Sequence, residues 1–268
     1  MSRSLKKESR SVYSIPPGPL TAIYLVMFSI AFVIYGVVSL FWGDHMLMSF
    51  SDLWQPNASI SAGLGRVWFI FAWAAVTTFS VGLVLLRRGE PRKQEPTTAV
   101  WRGAWLSLNA GFFEELIWRW MAFFVAMVFL PAANWLTFGF VKWLYTAALI
   151  PLANWVTLGA LQPQLTGHAN WIFGAAVISA NARFRNAHRG KFFRYVNSWF
   201  LGMVFFWLMF NYGLMAAIVA HILYDLIILA VVAPAFMTLQ SPPPKTAFGL
   251  SMRSVLSPPP QRLPRKPL

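Results

Sequence analysis

The chain contains no cysteine. That excludes a disulfide frame, a thiolate metal site and a cysteine nucleophile, and it leaves the redox compartment unread. Acidic side chains are nearly as scarce. Eight Asp and Glu stand against 22 Lys and Arg, and only 11% of the residues are charged at all, where a soluble domain carries about 25%. What fills the space is apolar. Hydrophobic residues make up 57% and the mean hydropathy is +0.55. A chain this greasy reads as a polytopic membrane protein, an all-α bundle of transmembrane helices. The formal charge of +14 lies mostly in tails and between apolar runs. That placement fits anionic lipid headgroups and membrane topology, not nucleic acid.

Residues 1–19 form a basic tail with Arg3, Lys6, Lys7 and Arg10, read as cytoplasmic. Residues 20–99 hold two N-terminal transmembrane helices and their loops. Leu20 to Trp42 is uncharged, too long for a signal-peptide core and followed by no cleavage site, so it reads as a retained helix. Val67 to Leu86 is a second uncharged span, ending at Arg87-Arg88. Residues 100–233 form the membrane-embedded core. A third helix over 104–130 is expected to close at Pro131, followed by an apolar run from Trp135 to Leu158 that Lys142 and Pro151 interrupt. Residues 166–182 are apolar again, then Arg183, Arg185, Arg189, Lys191 and Arg194 cluster. Trp199–Phe210 and Leu214–Val232 are the last apolar runs. The tail over 234–268 is proline-rich and basic, and should be extended or disordered. No internal repeat or heptad array stands out.

The basic regions all return to the cytoplasm only if the 135–165 region makes an even number of crossings, either none, as a re-entrant element, or two, broken at Pro151. About seven to eight spans are expected, with both termini cytoplasmic.

Beyond Glu95 only three acids remain, Glu114, Glu115 and Asp225, and all lie in apolar runs. An ionisable group inside a span is costly and marks a functional site by default. Glu115 and Arg119 are spaced i,i+4 with the acid first, the favourable order for a pair on one helix face, and such a pair could simply tie helices together. Glu114, about 100° further round the helix, has no such partner. In the last span His221 and Asp225 are also i,i+4, which puts an imidazole and a carboxyl on one face.

The run Glu114-Glu115-Leu116-Ile117-Trp118-Arg119 followed later by His221-Ile222-Leu223-Tyr224-Asp225 resembles the CAAX prenyl endopeptidase and bacteriocin-processing family of glutamate-dependent intramembrane proteases. The family's middle motif, F-x-x-x-H, is matched by Phe184-Arg185-Asn186-Ala187-His188. His168 competes for that role in a more apolar context, but Gln164 stands where the motif has phenylalanine. The resemblance covers roughly residues 100–233. It implies an intramembrane endopeptidase, a CAAX endopeptidase-like hydrolase, whose substrate is a membrane-associated protein or peptide. Carried over, Glu114 and His188 activate water, and His221 and Asp225 bind the oxyanion, while Arg119 holds Glu115 in support. Asp225 departs from the asparagine form. An ionised carboxylate cannot donate to an oxyanion, so Asp225 is either protonated or orients His221. The family's breadth points to the bacterial inner membrane. No cofactor is implied, and the sequence has no H-E-x-x-H pattern for a metal. The competing classes are a non-catalytic immunity or regulatory member and a proton- or ion-coupled transporter, since intramembrane carboxylates paired with Arg and His also line ion paths.

Overall fold

The computed structural model describes residues 17–42, 54, 58–88, 96–166, 171–188 and 192–238. The basic N-terminal tail up to residue 16, His168 and the proline-rich tail from residue 239 lie outside the described residues.

Every regular element described is helical. In chain order these are α1 (Pro17–Trp42), α2 (Ile60–Arg66), α3 (Trp68–Arg88) and α4 (Pro96–Glu115), a π-turn over Leu116–Met121, then α5 (Ala122–Leu136). There follow α6 (Phe140–Leu144), a second π-turn over Tyr145–Leu149, α7 (Ile150–Val156), α8 (Gln162–Thr166), α9 (Trp171–Ala187), α10 (Phe192–Tyr212) and α11 (Leu214–Thr238). Two stretches, Val100–Leu136 and Leu214–Ala233, are long and apolar enough to cross a membrane. A third is available if α2 and the start of α3, bent by 54° at their junction, act as one span.

Two prolines behave differently from expectation. Pro131 does not close its helix, because α5 runs through it to Leu136. Pro234 likewise lies within α11, which continues to Thr238. A proline removes one backbone donor, but in a membrane helix neighbouring helices and local adjustments re-satisfy the freed groups.

Between membrane helices there is little hydrophobic driving force, so close packing of small side chains does the work. Ala175, Ala176 and Ala180 on α9 and Ala216, Ala217 and Ala220 on α11 are all fully buried. Helix α11 is central, packed by α4, α3 and α10, while α9 lies against α5 and α10. On α4, Gly103 faces Leu229 and Gly111 faces Ile222, so α4 and α11 run antiparallel. A Cβ on Gly111 would lie 2.8 Å from the backbone nitrogen of Ile222; the missing side chain is what lets the two backbones meet. Helix α1 lies outside α4, with Tyr24 stacked on Phe113 at 5.0 Å and Tyr35 edge-on to Trp120 at 5.8 Å.

An internal repeat is present after all. Pro131-Ala-Ala-Asn-Trp-Leu-Thr-Phe-Gly139 recurs as Pro151-Leu-Ala-Asn-Trp-Val-Thr-Leu-Gly159. Both copies end a helix by the same closure. Gly139 N–H donates to Asn134 C=O at 2.8 Å and Gly159 N–H to Asn154 C=O at 2.9 Å. Thr137 and Thr157 each donate a hydroxyl to the carbonyl four residues back at 2.8 Å. This is a Schellman-type cap, used twice.

Candidate active site

The close approach at Gly111 fixes what lies one turn further along α4. Glu114 and Glu115 end that helix, and the π-turn over Leu116–Met121 carries Arg119. Single π-turns inside α-helices are frequent at functional sites. Glu115 and Arg119 are fully buried, and Arg119 Nη1 lies 3.1 Å from Glu115 Oε1. The contact is one of charge and not of alignment, since none of the three guanidinium nitrogens has a hydrogen-bond partner among the described residues. The cation lies instead over the Phe184 ring, 4.0 Å from its centroid, with Phe205 at 5.2 Å. A guanidinium stacks on aromatic faces more readily than an ammonium would.

Glu115 has a second partner. Its Oε1 lies 2.7 Å from His221 Nδ1 on α11. The carboxylate already faces Arg119, so the imidazole is the donor. Phe205 stacks on the same ring at 4.9 Å. Both contacts hold His221 so that Nε2 turns towards Asp225, whose Oδ2 is 3.9 Å away. His221 is therefore oriented by Glu115 across two helices, and Asp225 stands on the free side of the ring. The sequence had left Asp225 either protonated or orienting His221. An i,i+4 pattern reports neighbours on one helix and is blind to a partner on another.

His188 sits at the end of α9, where its Nδ1 lies 2.8 Å from the Phe184 carbonyl. A carbonyl only accepts, so Nδ1 carries the proton. Nε2 then faces Glu114 Oε2 at 3.3 Å. With Nδ1 already protonated, a neutral ring offers only a lone pair to Glu114. A proton on the carboxyl or on Nε2 would join the two atoms. Burial opposes protonation of His188, but the hydrogen bond and charge of Glu114 outweigh it, and its pKa lies above the ordinary value of 6.5. Glu114 and His188 are partly open, with side chains 22% and 32% exposed, and Asp225 is 27% exposed. Glu115 and Arg119 are closed off behind them.

All six residues singled out in the sequence, Glu114, Glu115, Arg119, His188, His221 and Asp225, come together from three parts of the chain. Phe205 was not foreseen, and nothing in the sequence distinguishes it from the other phenylalanines. Neither the family models, the curated proteins nor the solved structures include a match to this chain.

Proposed function

We propose that the chain is an intramembrane endopeptidase of the glutamate type, of the kind its motifs resemble, with residues 100–233 as the catalytic core. The supporting observation is the approach of His188 Nε2 to Glu114 Oε2 at 3.3 Å, with both side chains partly open, beside an oriented His221. Peptide hydrolysis needs an activated water, a donor for the developing oxyanion and a proton for the leaving amine. Glu114 takes a proton from water as its oxygen attacks the scissile carbonyl carbon. His221, as imidazolium, donates from Nε2 to the oxyanion, with Asp225 and Glu115 balancing its charge. The C–N bond then breaks, and the proton held between Glu114 and His188 goes to the amine. Glu115 and Arg119 act as positioning residues. The substrate is a membrane-associated protein or peptide.

Membrane topology belongs to the same proposal. With the bent α2–α3 pair taken as one span, helices α1, α9 and α10 would cross in addition to three apolar spans, which favours six passes over seven to eight. Both termini and the basic loops then face the cytoplasm, in keeping with the positive-inside rule. The bacterial inner membrane is the setting that the resemblance suggests.

The test is peptidomics of membranes from cells producing the wild-type protein or Glu114→Gln at matched abundance. New peptide termini should appear with the wild type only. Indistinguishable peptidomes would leave a scaffold or transporter, and proton-coupled uptake in proteoliposomes would identify the latter.

A further inference from the structure

Helices α3 and α10 run antiparallel, joined by aromatic side chains more than by backbone contact. Phe69 faces Phe200 with ring centroids 6.5 Å apart, and Trp73 faces Phe193 at 6.0 Å. The space on either side of the Phe69–Phe200 pair is hollow. A cavity of about 440 Å³ lies towards Arg66 and Trp207, and one of about 410 Å³ lies towards Trp73 and Phe193. Phe69 and Phe200 line both, so the two form one groove beside α10. From Phe193 to Trp207 it runs about 21 Å at 1.5 Å per residue. Phe69, Trp73, Phe193, Val196 and Phe200 are all exposed, which leaves the groove open along its side.

Its walls offer an occupant almost nothing polar. Trp73 Nε1 donates to Asn197 Oδ1 at 2.8 Å, and Asn197 Nδ2 donates to the Tyr224 hydroxyl at 3.4 Å, so these groups are engaged with one another. Among the described residues, Arg66 is the one charged side chain lining either cavity. Its depth follows from the sequence. Val67 to Leu86 is uncharged and is framed by Arg66 at one end and Arg87-Arg88 at the other. As helix that stretch is about 30 Å long, the thickness of a bilayer's hydrocarbon core. Arg66 therefore stands at the boundary with the headgroups, where the chain bends by 54° from α2 into α3.

We propose that the groove binds one anionic phospholipid of the surrounding bilayer, with its phosphate on Arg66 and one acyl chain laid between α3 and α10. A helix is 10–12 Å across, and one as long as the groove needs about twice the volume of the two cavities. An acyl chain is thin enough to enter. It gains little hydrophobic driving force by leaving the bilayer, since lipid tails are as apolar as the groove walls. The headgroup contact then decides which lipid is held, and a guanidinium at that depth selects a phosphate with no cation of its own. The site depends on the membrane placement proposed above for α3 and not on hydrolysis.

The test is photolabelling of the full chain in phosphatidylcholine vesicles that contain a little phosphatidylglycerol with a diazirine in one acyl chain. Labelled residues are located by mass spectrometry. Label should concentrate on 66–73 and 193–207, saturate, and be displaced by unlabelled phosphatidylglycerol but not by added phosphatidylcholine. Arg66→Gln should weaken the apparent affinity about five-fold, the weight of one cation near an anionic surface, and Arg66→Lys should retain part of it. Ala160→Trp, from an exposed position on the wall of the wider cavity, should reduce labelling of the groove with Arg66 intact. Label spread equally over the exposed Leu25 and Val33 of α1 would show bulk lipid only and overturn the site. So would equal displacement by phosphatidylcholine, or protein–protein crosslinks through the groove, which would put a second copy there. Unchanged labelling in Arg66→Gln together with a lowered melting temperature would assign Arg66 to the protein's own acids and also overturn it. Flotation of the protein with the vesicles checks the membrane placement separately, and a chain that stays behind would overturn both.

Discussion

Removing the Arg119 cation should cost the fold more than removing the Glu114 charge. Arg119 and Glu115 are both fully buried, and their charges face each other at 3.1 Å. Arg119→Ala leaves the Glu115 carboxylate with His221 as its remaining partner, and it empties the space over Phe184 and Phe205. Breaking a buried pair by deleting one member costs about 3–5 kcal/mol. At about 2–4 °C per kcal/mol for a chain of this size, the melting temperature should fall by roughly 6–20 °C. Glu114→Gln keeps the shape of a partly open side chain and should move it by no more than about 2 °C. The assay is thermal melting of detergent-purified protein followed by fluorescence-detected size exclusion. A second arm pairs Arg119→Ala with Glu115→Gln, whose amide oxygen still accepts from His221. If the pair is real, the double variant recovers part of the loss, with a coupling of about 1–3 kcal/mol. Equal melting temperatures for Arg119→Ala and Glu114→Gln, or additive behaviour of the double variant, would refute the pairing.

Glu114→Gln should fold and insert normally while cleavage falls by at least about 10²–10⁴-fold, the usual scale for a general base; turnover near wild type removes the mechanism. His188→Ala should abolish cleavage and His168→Ala should leave most of it, measured on the same substrate; the reverse outcome reassigns the middle histidine. Because the folded pKa of His188 is raised, its stabilising contact is complete below the ordinary histidine value of 6.5 and is lost as pH rises through the folded value. The melting temperature should therefore decline over that range in wild type and less steeply in His188→Ala, and parallel curves would deny the contact. Gly111→Leu should force α4 from α11, destabilise by about 1–3 kcal/mol and abolish the Glu115–His221 contact; retained activity and melting temperature would contradict the close approach.

The acids were the most legible part of the site. A charged residue in an apolar run is conspicuous, and i,i+4 spacing correctly places Glu115 beside Arg119. The pairing of Glu115 with His221 spans 106 residues and is set by helix packing, which leaves no local trace. Helix type was legible from apolar run length, whereas helix ends were not, because Pro131 and Pro234 are tolerated inside membrane helices. The repeat had a sequence signal in its recurring Pro, Ala, Asn, Trp, Thr and Gly, but a period of 20 residues is easily lost in apolar sequence. The π-turn had none, since no residue type specifies it.

That turn has a mechanical consequence. A π-turn holds about one residue more than an α-turn, which shifts everything beyond it by roughly 100° about the axis. Upstream, the helix is phased to aim Glu115 at His221. Downstream, it is phased to bury Phe123, Met127 and Leu130 in the core. The Leu116–Met121 turn works as a clutch between two settings on one shaft. Deleting a single residue within it would lock the two together, and the chain would have to choose between its carboxylates and its packing.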